Sequence, residues 1–214
     1  RLMGDAGTEV MRVHSDSRTL QQGDLFVALR GDTFDGAQYL AQARNKGASA
    51  GLCSEQSSYL IESAGLAALV VPDSKVALGV LAGNWRARFR LPLIAVTGSN
   101  GKTTVTQMVG AILSAWKGEK SLVTHGNFNN DIGLPITLLG LNATHRAAVI
   151  EMGMNHPGEI AYLAPIGAPT VALVTNAQRA QLEGMGDLDE VAREKGSVFV
   201  GMPANGVAVI NADD

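Results

Sequence analysis

The feature that most constrains this chain is segment 91–116, where an apolar run, a short glycine loop and an amphipathic pattern follow one another. The run LPLIAV is followed by the loop TGSNG and then by KTT. Beyond the loop, apolar residues recur three and four positions apart, which predicts one face of an α-helix. These residues are Val105, Met108, Val109, Ile112, Leu113 and Trp116. The segment therefore predicts a buried strand, a glycine loop and a helix, in that order.

This arrangement is suited to binding a nucleotide phosphate. Glycines let the backbone pass close to an anion, and the helix N-terminus adds unpaired N–H groups and the positive end of the helix dipole. Lys102 can reach the β- and γ-phosphates, and the Thr103 hydroxyl can ligate Mg²⁺. A plain glycine turn with a solvated lysine is the less favoured alternative, because the loop, the Lys-Thr pair and the flanking elements all agree. The candidate ATP-binding residues are Thr97, Gly98, Ser99, Asn100, Gly101, Lys102, Thr103 and Thr104.

The loop departs from the common P-loop, because Val96 occupies the position of the usual first glycine. The shorter string T-G-S-N-G-K-T-T resembles the ATP-binding loop of the Mur ligases, which form amide bonds during peptidoglycan precursor assembly. Further motifs in the order of that family extend the resemblance from Ser15 to Asn211. The resemblance implies a small UDP-binding domain followed by an incomplete ATPase domain.

The composition of the chain limits its size class, its partners and its cellular environment. With 46% hydrophobic and 17% charged residues, the 214-residue chain has a globular balance and room for one large or two small domains. A net charge of -3 without a basic tract argues against a nucleic-acid partner. The single cysteine, Cys53, excludes an internal disulfide and is compatible with a reducing compartment. No apolar run approaches the ~20 residues that a membrane span requires.

We predict an α/β fold with a mostly parallel sheet in the ATPase domain. Residues 1–88 are expected to form the first domain and residues 89–214 the first part of the second. Since the chain does not begin with Met and ends abruptly after a strand-like run, we expect a fragment of a longer protein. The predicted strands are Val10–Val13, Leu25–Leu29, Ala50–Cys53, Ala67–Val71, Leu91–Val96, Leu122–Gly126, Arg146–Gly153, Thr170–Asn176 and Gly206–Asn211. The predicted helices include Gln38–Lys46, Val76–Arg88, the one after the loop, one beginning at Pro157, and Asp187–Val200.

A polar cluster of Ser15, Asp16, Ser17 and Arg18 follows the first predicted strand. Arg18 can hold a phosphate bidentately, and the neighbouring side chains can bond the polar edges of a ligand. An Asx turn with an Arg–Asp surface pair explains the same residues equally well. The wider string S-D-S-R-x-L-x-x-G-D-L-F-V-A-L-R-G resembles the N-terminal domain of two Mur ligases, those acting on dipeptide and tripeptide precursors. The resemblance implies that this cluster holds the UDP end of a nucleotide sugar.

A second polar run, G-N-F-N-N-D-I-G-L-P, covers residues 126–135. Its donors and acceptors could bind a ligand, or could satisfy one another as turns. The run resembles the Mur ligase that joins D-alanyl-D-alanine to UDP-N-acetylmuramoyl-tripeptide, which implies that the loop faces the nucleotide sugar. The candidate substrate residues here are Asn127, Asn129, Asn130 and Asp131.

Glu151 ends the apolar strand pattern RAAVIEMG. A carboxylate in such a run is costly unless it is paired or binds a metal, and ligand sites lie at the carboxyl ends of parallel strands. A Mg²⁺ ligand and a salt-bridged core carboxylate are the two alternatives. His156 is a candidate catalytic residue at the same strand end, and Pro157 suits the first position of a helix. The segment E-M-G-M-N-H-P-G-E-I resembles the same ligase, which implies that Glu151 binds magnesium.

Lys195 falls on the apolar stripe of the last predicted helix. Such a lysine either extends outward to solvent or has a lowered pKa. The string V-A-R-E-K-G-S-V-F resembles the family segment whose lysine is carbamylated, which implies that Lys195 is catalytic and, once carbamylated, a metal ligand. Gln181 stands where related ligases have a metal-contacting histidine. Its amide oxygen can still ligate magnesium, so it is the doubtful member of the metal set.

The resemblance implies ATP-dependent peptide-bond formation through an acyl phosphate, with ATP and Mg²⁺ as cofactors. The implied substrates are UDP-N-acetylmuramoyl-tripeptide and D-alanyl-D-alanine, and a cytoplasmic monomer is expected. Three alternatives stay open. They are another P-loop ATPase or kinase, a module that binds the nucleotide sugar without turnover, and the sister ligase that adds the third amino acid. The N-N-D loop (residues 129–131) and the D-S-R cluster (residues 16–18) argue against another P-loop ATPase or kinase. The runs around Asn129 and His156 argue against the sister ligase.

Overall fold

A computed structural model describes residues 1–31, 33–118, 120–178 and 187–214 of the chain. The chain divides into two compact units, Arg1–Leu78 and Gly79–Asp214, here called the N-terminal and the C-terminal unit. The division falls inside one helix, Ser74–Arg86, upstream of the boundary predicted after residue 88. In the part of the chain that is described, no helix combines the length and the apolar character needed to cross a bilayer.

The N-terminal unit is a five-stranded sheet with helices. Its strands are β1 (Leu2–Met3), β2 (Arg12–His14), β3 (Asp24–Val27), β4 (Ala50–Ser54) and β5 (Ala67–Val71). The strand order is β1-β5-β4-β3-β2, and every pairing is parallel except that of the edge strand β1 with β5. Its helices are α1 (Leu40–Asn45) and α2 (Tyr59–Ala64), with 3₁₀ turns at Gly36–Tyr39 and Glu55–Ser57, and the unit ends inside α3 (Ser74–Arg86). Strand β1 and helix α2 are additions to the elements predicted from the sequence.

Strands β3 and β4 are buried at every position, as expected of central parallel strands covered on both faces. The one charge inside them, Asp24, is matched by Arg12 on the neighbouring strand β2. The Arg12 guanidinium donates from Nε and Nη2 to the two Asp24 carboxylate oxygens at 2.9 and 2.7 Å. This bidentate pair lets a charged residue sit in an otherwise apolar sheet.

The C-terminal unit is built on a wholly parallel sheet in the order β10-β9-β6-β8-β7. Its strands are β6 (Leu93–Thr97), β7 (Ser121–Val123), β8 (Ala147–Glu151), β9 (Val171–Val174) and β10 (Val207–Ile210). Its helices are α4 (Lys102–Lys117), α5 (Gly133–Leu139), α6 (Glu159–Gly167) and α7 (Leu188–Gly196), and α7 continues as a 3₁₀ turn, Ser197–Gly201. The mostly parallel α/β architecture predicted from the sequence is confirmed. The glycine loop leaves the carboxyl end of the central strand β6, which is where open parallel sheets bind their ligands.

Helix α4 packs on the sheet with only one side of its predicted apolar stripe, that of Val105, Val109 and Leu113. Thr106, Gly110 and Leu113 are its buried residues, whereas Met108, Ile112 and Trp116 are 61%, 65% and 66% exposed. A Cβ on Gly110 would come within 2.9 Å of the Val123 side chain, so the glycine lets α4 approach β7 closely. The close approach at Gly110 therefore helps to set which side of the helix faces the sheet, and the apolar spacing did not indicate it.

The N-termini of helices α6 and α7 are capped in different ways. The predicted start of α6 at Pro157 was wrong, because the helix begins at Glu159 and Gly158 is its N-cap with a left-handed φ of 88°. Helix α7 begins at Leu188 with Asp187 as its N-cap, because the Asp187 carboxylate accepts the N–H of Glu190 at 2.8 Å. The side chain of the N-cap residue Asp187 thus caps α7, whereas the N-cap residue of α6 is a glycine and has no side chain to do so.

Candidate functional site

The glycine loop joins β6 to α4 as predicted, with a lysine as the first helical residue. Gly101 is the N-cap with a left-handed φ of 77°, and open space surrounds the position of its absent side chain. Gly98 has a φ of 147°, and a Cβ there would overlap the Thr175 hydroxyl. The two glycines thus serve different purposes, one for close packing against the end of β9 and one for an open turn into the helix.

Residues after β9 hold the glycine loop in place. The Ser99 and Asn100 N–H groups donate to the backbone oxygen and to Oδ1 of Asn176, at 3.0 and 2.9 Å. The Thr175 hydroxyl donates to the Asn100 carbonyl at 2.7 Å, and the Ser99 hydroxyl exchanges hydrogen bonds with the Gln178 backbone. Two of the loop amides are therefore bonded within the protein, so a phosphate would meet the amides further along, at the start of α4.

Lys102 lies folded against this loop. Its Nζ donates to the carbonyl of Gly98 at 2.8 Å and lies 3.4 Å from that of Ser99. Burial lowers the pKa of Lys102, and the charge of Glu151 opposes that change. The ammonium thus lies between the loop carbonyls and a buried carboxylate, from which it can turn toward a bound phosphate.

Glu151 ends β8 and is only 1% exposed. Its Oε1 accepts a hydrogen bond from Asn129 Nδ2 at 2.7 Å, while its Oε2 is buried and has no hydrogen-bond partner among the described residues. The Thr97 hydroxyl, at the end of the adjacent strand β6, is also buried and also has no hydrogen-bond partner among the described residues. A buried, unsatisfied carboxylate oxygen is costly, and a cation is the natural partner for it.

These oxygens fit a magnesium ion. Mg²⁺ prefers carboxylate and hydroxyl oxygens, and in nucleotide sites it keeps waters and phosphate oxygens as its other ligands. Glu151 and the exposed Thr103 at the start of α4 could supply the protein ligands. In the described ranges no group of three His, Cys, Asp or Glu side chains gathers as a metal cage. A site that shares its metal with a nucleotide needs no such cage.

Lys195 is the unexpected charge in the core, with an exposure of 1%. An outward-extended side chain, one of the two alternatives from the sequence, is therefore excluded. The pKa of Lys195 is lowered to about 8, by burial first and by repulsion from Lys102 second, while the Glu194 carboxylate opposes both effects. Lys102 interacts electrostatically with both Glu151 and Lys195, so the three charges form one cluster in the C-terminal unit.

Of the two remaining metal and catalytic candidates, the structure describes His156 but not Gln181. His156 is exposed on the turn before α6, and its backbone N–H donates to Glu159 Oε2 at 3.2 Å. Gln181 lies outside the described residues. The structure therefore gives His156 the accessibility that a catalytic group needs.

The polar loop between β7 and α5 is used partly for its own structure. Asn130 Oδ1 accepts the N–H groups of Ile132 and Gly133 at 3.2 and 2.8 Å, which closes the turn into α5. Asn129 binds Glu151, as described above, whereas Asn127 is exposed and Asp131 is half-buried. The turn interpretation of this run is confirmed for Asn130, whereas Asn129 orients the Glu151 carboxylate and ligand binding by the run stays a prediction.

In the N-terminal unit, the D-S-R cluster lines a cleft of about 500 Å³. Arg18 donates from Nε and Nη2 to Asp16 at 2.9 and 2.8 Å, and its backbone N–H also binds Asp16. These bonds lower the pKa of Asp16 to about 2. The Asx turn and surface ion pair are present, and the same residues face a cleft large enough for a ligand. The lining residues are Ser15, Asp16, Ser17, Arg18, Phe26, Phe34, Tyr39 and Gln42.

Two aromatic residues of this cleft were not predicted as site residues. The rings of Phe34 and Tyr39 stack with centroids 5.7 Å apart and an interplanar angle of 24°. Both side chains are exposed, so the stacked pair presents an aromatic surface to the cleft. Their sequence signal was weak, because they flank the Asp35-Gly36 turn and belong to no periodic pattern.

The parallel sheet, the glycine loop at its central strand and the lysine at the start of α4 define a P-loop-type nucleotide-binding domain. The chain belongs to the Mur ligase family. Residues 96–214, more than half of the chain, match the Mur ligase middle domain, and residues 9–86 match the domain described as "Mur ligase family, catalytic domain".

Named relatives agree with this assignment. The UDP-N-acetylmuramoyl-tripeptide–D-alanyl-D-alanine ligase of Haemophilus influenzae is 44% identical over an alignment of 215 positions, which covers 100% of this chain and 46% of that protein. The crystal structure of MurF from Acinetobacter baumannii superposes with a TM-score of 0.87 at 40% identity, over 95% of this chain and 44% of that one. MurF from Thermotoga maritima in complex with ADP gives a TM-score of 0.80 at 30% identity, over 99% and 48%. The chain thus spans less than half the length of these relatives.

Proposed function

We propose that this chain supplies the nucleotide-sugar-binding and ATP-binding parts of a ligase that adds D-alanyl-D-alanine to UDP-N-acetylmuramoyl-tripeptide in peptidoglycan precursor synthesis. The observation that carries the proposal is the glycine loop at the end of β6, where Lys102 donates to the Gly98 carbonyl and the buried Glu151 ends the adjacent strand with an oxygen that has no partner among the described residues. The names of the curated relatives and the ADP complex of the Thermotoga protein support the same activity. A cytoplasmic monomer is part of the proposal, and the free, buried Cys53 is compatible with a reducing compartment.

In the first step the terminal carboxylate of the tripeptide attacks the γ-phosphorus of ATP, forming an acyl phosphate and releasing ADP. The amine of D-alanyl-D-alanine then attacks the acyl carbon, forms the amide bond, releases phosphate and loses a proton. The first step brings two anions together, and at ~4 Å with an effective dielectric of ~20 each unit charge pair repels by about 4 kcal/mol. Lys102 and the α4 N-terminus offset this repulsion from fixed positions.

Glu151 and Thr103 are the residues that would hold Mg²⁺, with Asn129 orienting the Glu151 carboxylate. The ion supplies charge neutralisation of the phosphates there. We assign Lys195 as the site of carbamylation, because a lysine with a pKa of about 8 has a substantial neutral fraction near physiological pH. Its neutral Nζ would attack the carbon of carbon dioxide with loss of a proton, and the resulting carbamate oxygens could hold a second metal ion.

The cleft of the N-terminal unit is proposed to hold the UDP end of the substrate. The exposed, stacked rings of Phe34 and Tyr39 offer a face for a nucleobase. Arg18, now paired with Asp16, can exchange that partner for a phosphate, since guanidinium binds both anions bidentately. The exposed Asn127 and the half-buried Asp131 are proposed to face the sugar-peptide part.

The test has two stages. Calorimetric titration of the folded chain with UDP-N-acetylmuramoyl-tripeptide should give saturable binding that Arg18→Ala weakens. A full-length protein carrying this chain should then release phosphate from ATP only when both the tripeptide and D-alanyl-D-alanine are present, with the pentapeptide product detected by mass. Phosphate release that ignores the nucleotide sugar would overturn the ligase assignment in favour of another P-loop ATPase.

A further inference from the structure

Glu194 makes two hydrogen bonds that none of the motifs accounts for. It lies on α7 immediately before Lys195, and its Oε2 accepts the backbone N–H of Gly158 at 2.9 Å. Its Oε1 accepts the backbone N–H of Ile160 at 2.7 Å. One carboxylate from α7 therefore binds two orphan donors at the start of α6.

The chemistry of α6 explains why it takes a carboxylate from elsewhere. The first N–H groups of a helix lack intrahelical partners, and a side chain at the N-cap normally accepts one of them. The N-cap of α6 is Gly158, which has no side chain to offer. Glu194 fills that role from outside the helix, and its negative charge also complements the positive end of the α6 dipole.

These bonds connect two parts of the candidate site. The turn before α6 continues from Glu151 and carries His156, and Glu159 holds it by accepting the Asn155 and His156 N–H groups at 2.5 and 3.2 Å. On the other side, α7 carries Lys195, which is fully buried one residue after Glu194. A rotation of α7 about its axis would move the Lys195 ammonium relative to Lys102 and Glu151. Glu194 lies where it can prevent that rotation.

We propose that Glu194 is a positioning residue, which fixes the buried Lys195 within the site by bonding α7 to the backbone N–H groups at the start of α6. The inference rests on the proposed function only for its catalytic consequence. The anchoring itself follows from the two hydrogen bonds and the burial of Lys195. The anchor acts on the reaction through Lys195 and need not touch substrate.

Two substitutions separate anchoring from charge. Glu194→Gln and Glu194→Ala remove the same negative charge, but glutamine keeps one carbonyl oxygen that can accept a helix N–H. Any difference between the two variants therefore reports on the hydrogen bonds. Glu190→Ala is the matched control, since it removes an exposed carboxylate one turn earlier on the same helix.

The first measurement is made on the 214-residue chain. In Glu194→Ala, the Gly158 and Ile160 amides should exchange with deuterium about tenfold or more faster than in the wild type, since a charge-assisted hydrogen bond is lost at each. Lys195 should also react faster with an amine-specific reagent, at fixed pH in carbonate-free buffer. Glu194→Gln should lie between Ala and the wild type in both measurements, and Glu190→Ala should match the wild type.

Two results would overturn the proposal. Equal Lys195 labelling in Glu194→Ala and Glu194→Gln would reduce Glu194 to a cap of α6 or a local charge. Unchanged exchange at Gly158 and Ile160 would remove the anchor altogether. In a full-length protein, Glu194→Ala should lower kcat and leave the KM for the nucleotide sugar unchanged, with partial rescue by Gln. If no ligase product forms in the wild type, the proposed function fails, while exchange and labelling still decide the anchoring.

Discussion

Lys195→Met is expected to stabilise the C-terminal unit at neutral pH, although Lys195 is proposed to serve the reaction. The wild-type side chain is 1% exposed, and its pKa falls from an ordinary 10.5 to about 8 because of burial first and repulsion from Lys102 second. A base with a lower pKa in the folded state binds fewer protons there than in the unfolded chain. Below its folded pKa it therefore destabilises the fold, by about 3 kcal/mol for this difference.

The pH dependence follows with a definite sign. Between about pH 8 and pH 10.5 the unfolded chain binds more protons at this residue than the folded one, so wild-type stability rises with pH. The advantage of methionine, which has a similar length and no charge, should shrink accordingly. We expect it to fall from about 3 kcal/mol near pH 7 to about 1 kcal/mol near pH 9.5.

The chain offers a convenient probe for this experiment. Both of its tryptophans, Trp85 and Trp116, lie in the C-terminal unit, so tryptophan fluorescence during urea unfolding reports on that unit. Carbonate-free buffer keeps Lys195 as the amine, and Lys120→Met, at an exposed lysine of the same unit, is the matched control. If Lys195→Met has no advantage near pH 7, or has the same advantage at both pH values, the assignment of a buried, destabilising ammonium is refuted.

Two further substitutions test the nucleotide site. Glu151→Gln keeps an oxygen for the bond from Asn129 but removes the charge of the unpartnered Oε2, so we expect the magnesium-dependent part of ADP affinity to fall about tenfold or more by calorimetry. ADP binding that responds to magnesium as in the wild type would argue against Glu151 as a ligand. Gly98→Ala places a Cβ against Thr175 at a φ of 147°, and should cost about 1–3 kcal/mol of unfolding free energy together with ADP affinity. Gly118→Ala, with a left-handed φ of 67° but open space around it, should cost less and leave ADP binding intact.

Local patterns predicted the elements that bring the site residues to one edge of the sheet. The strand, loop and helix around Lys102 occur as expected, and the apolar run ending in Glu151 forms β8. Local sequence suffices for this, because buried parallel strands have continuous apolar sequences, and glycines between such a run and a helical apolar period mark the loop that joins them. The same patterns missed α2 and α5, which are short helices without a distinct apolar period.

The start of α6 shows the limit of local rules. Proline is favoured at the first helical position, and Pro157 satisfied that rule, yet the helix begins at Glu159. The partner that sets this start is Glu194, more than thirty residues away in sequence. No rule on neighbouring residues can find such a partner.

The sequence by itself determined the α/β class, the nucleotide loop and the identity of the candidate chemical groups, because these depend on residue type and on spacing along one strand or helix. Only the tertiary structure decided that Lys195 is buried, that one oxygen of Glu151 has no partner among the described residues, and that Phe34 and Tyr39 stack beside the D-S-R cluster. Burial, unsatisfied hydrogen bonds and pKa shifts are properties of the space around a side chain. That space is filled by residues distant in sequence, so it exists only once the chain has folded.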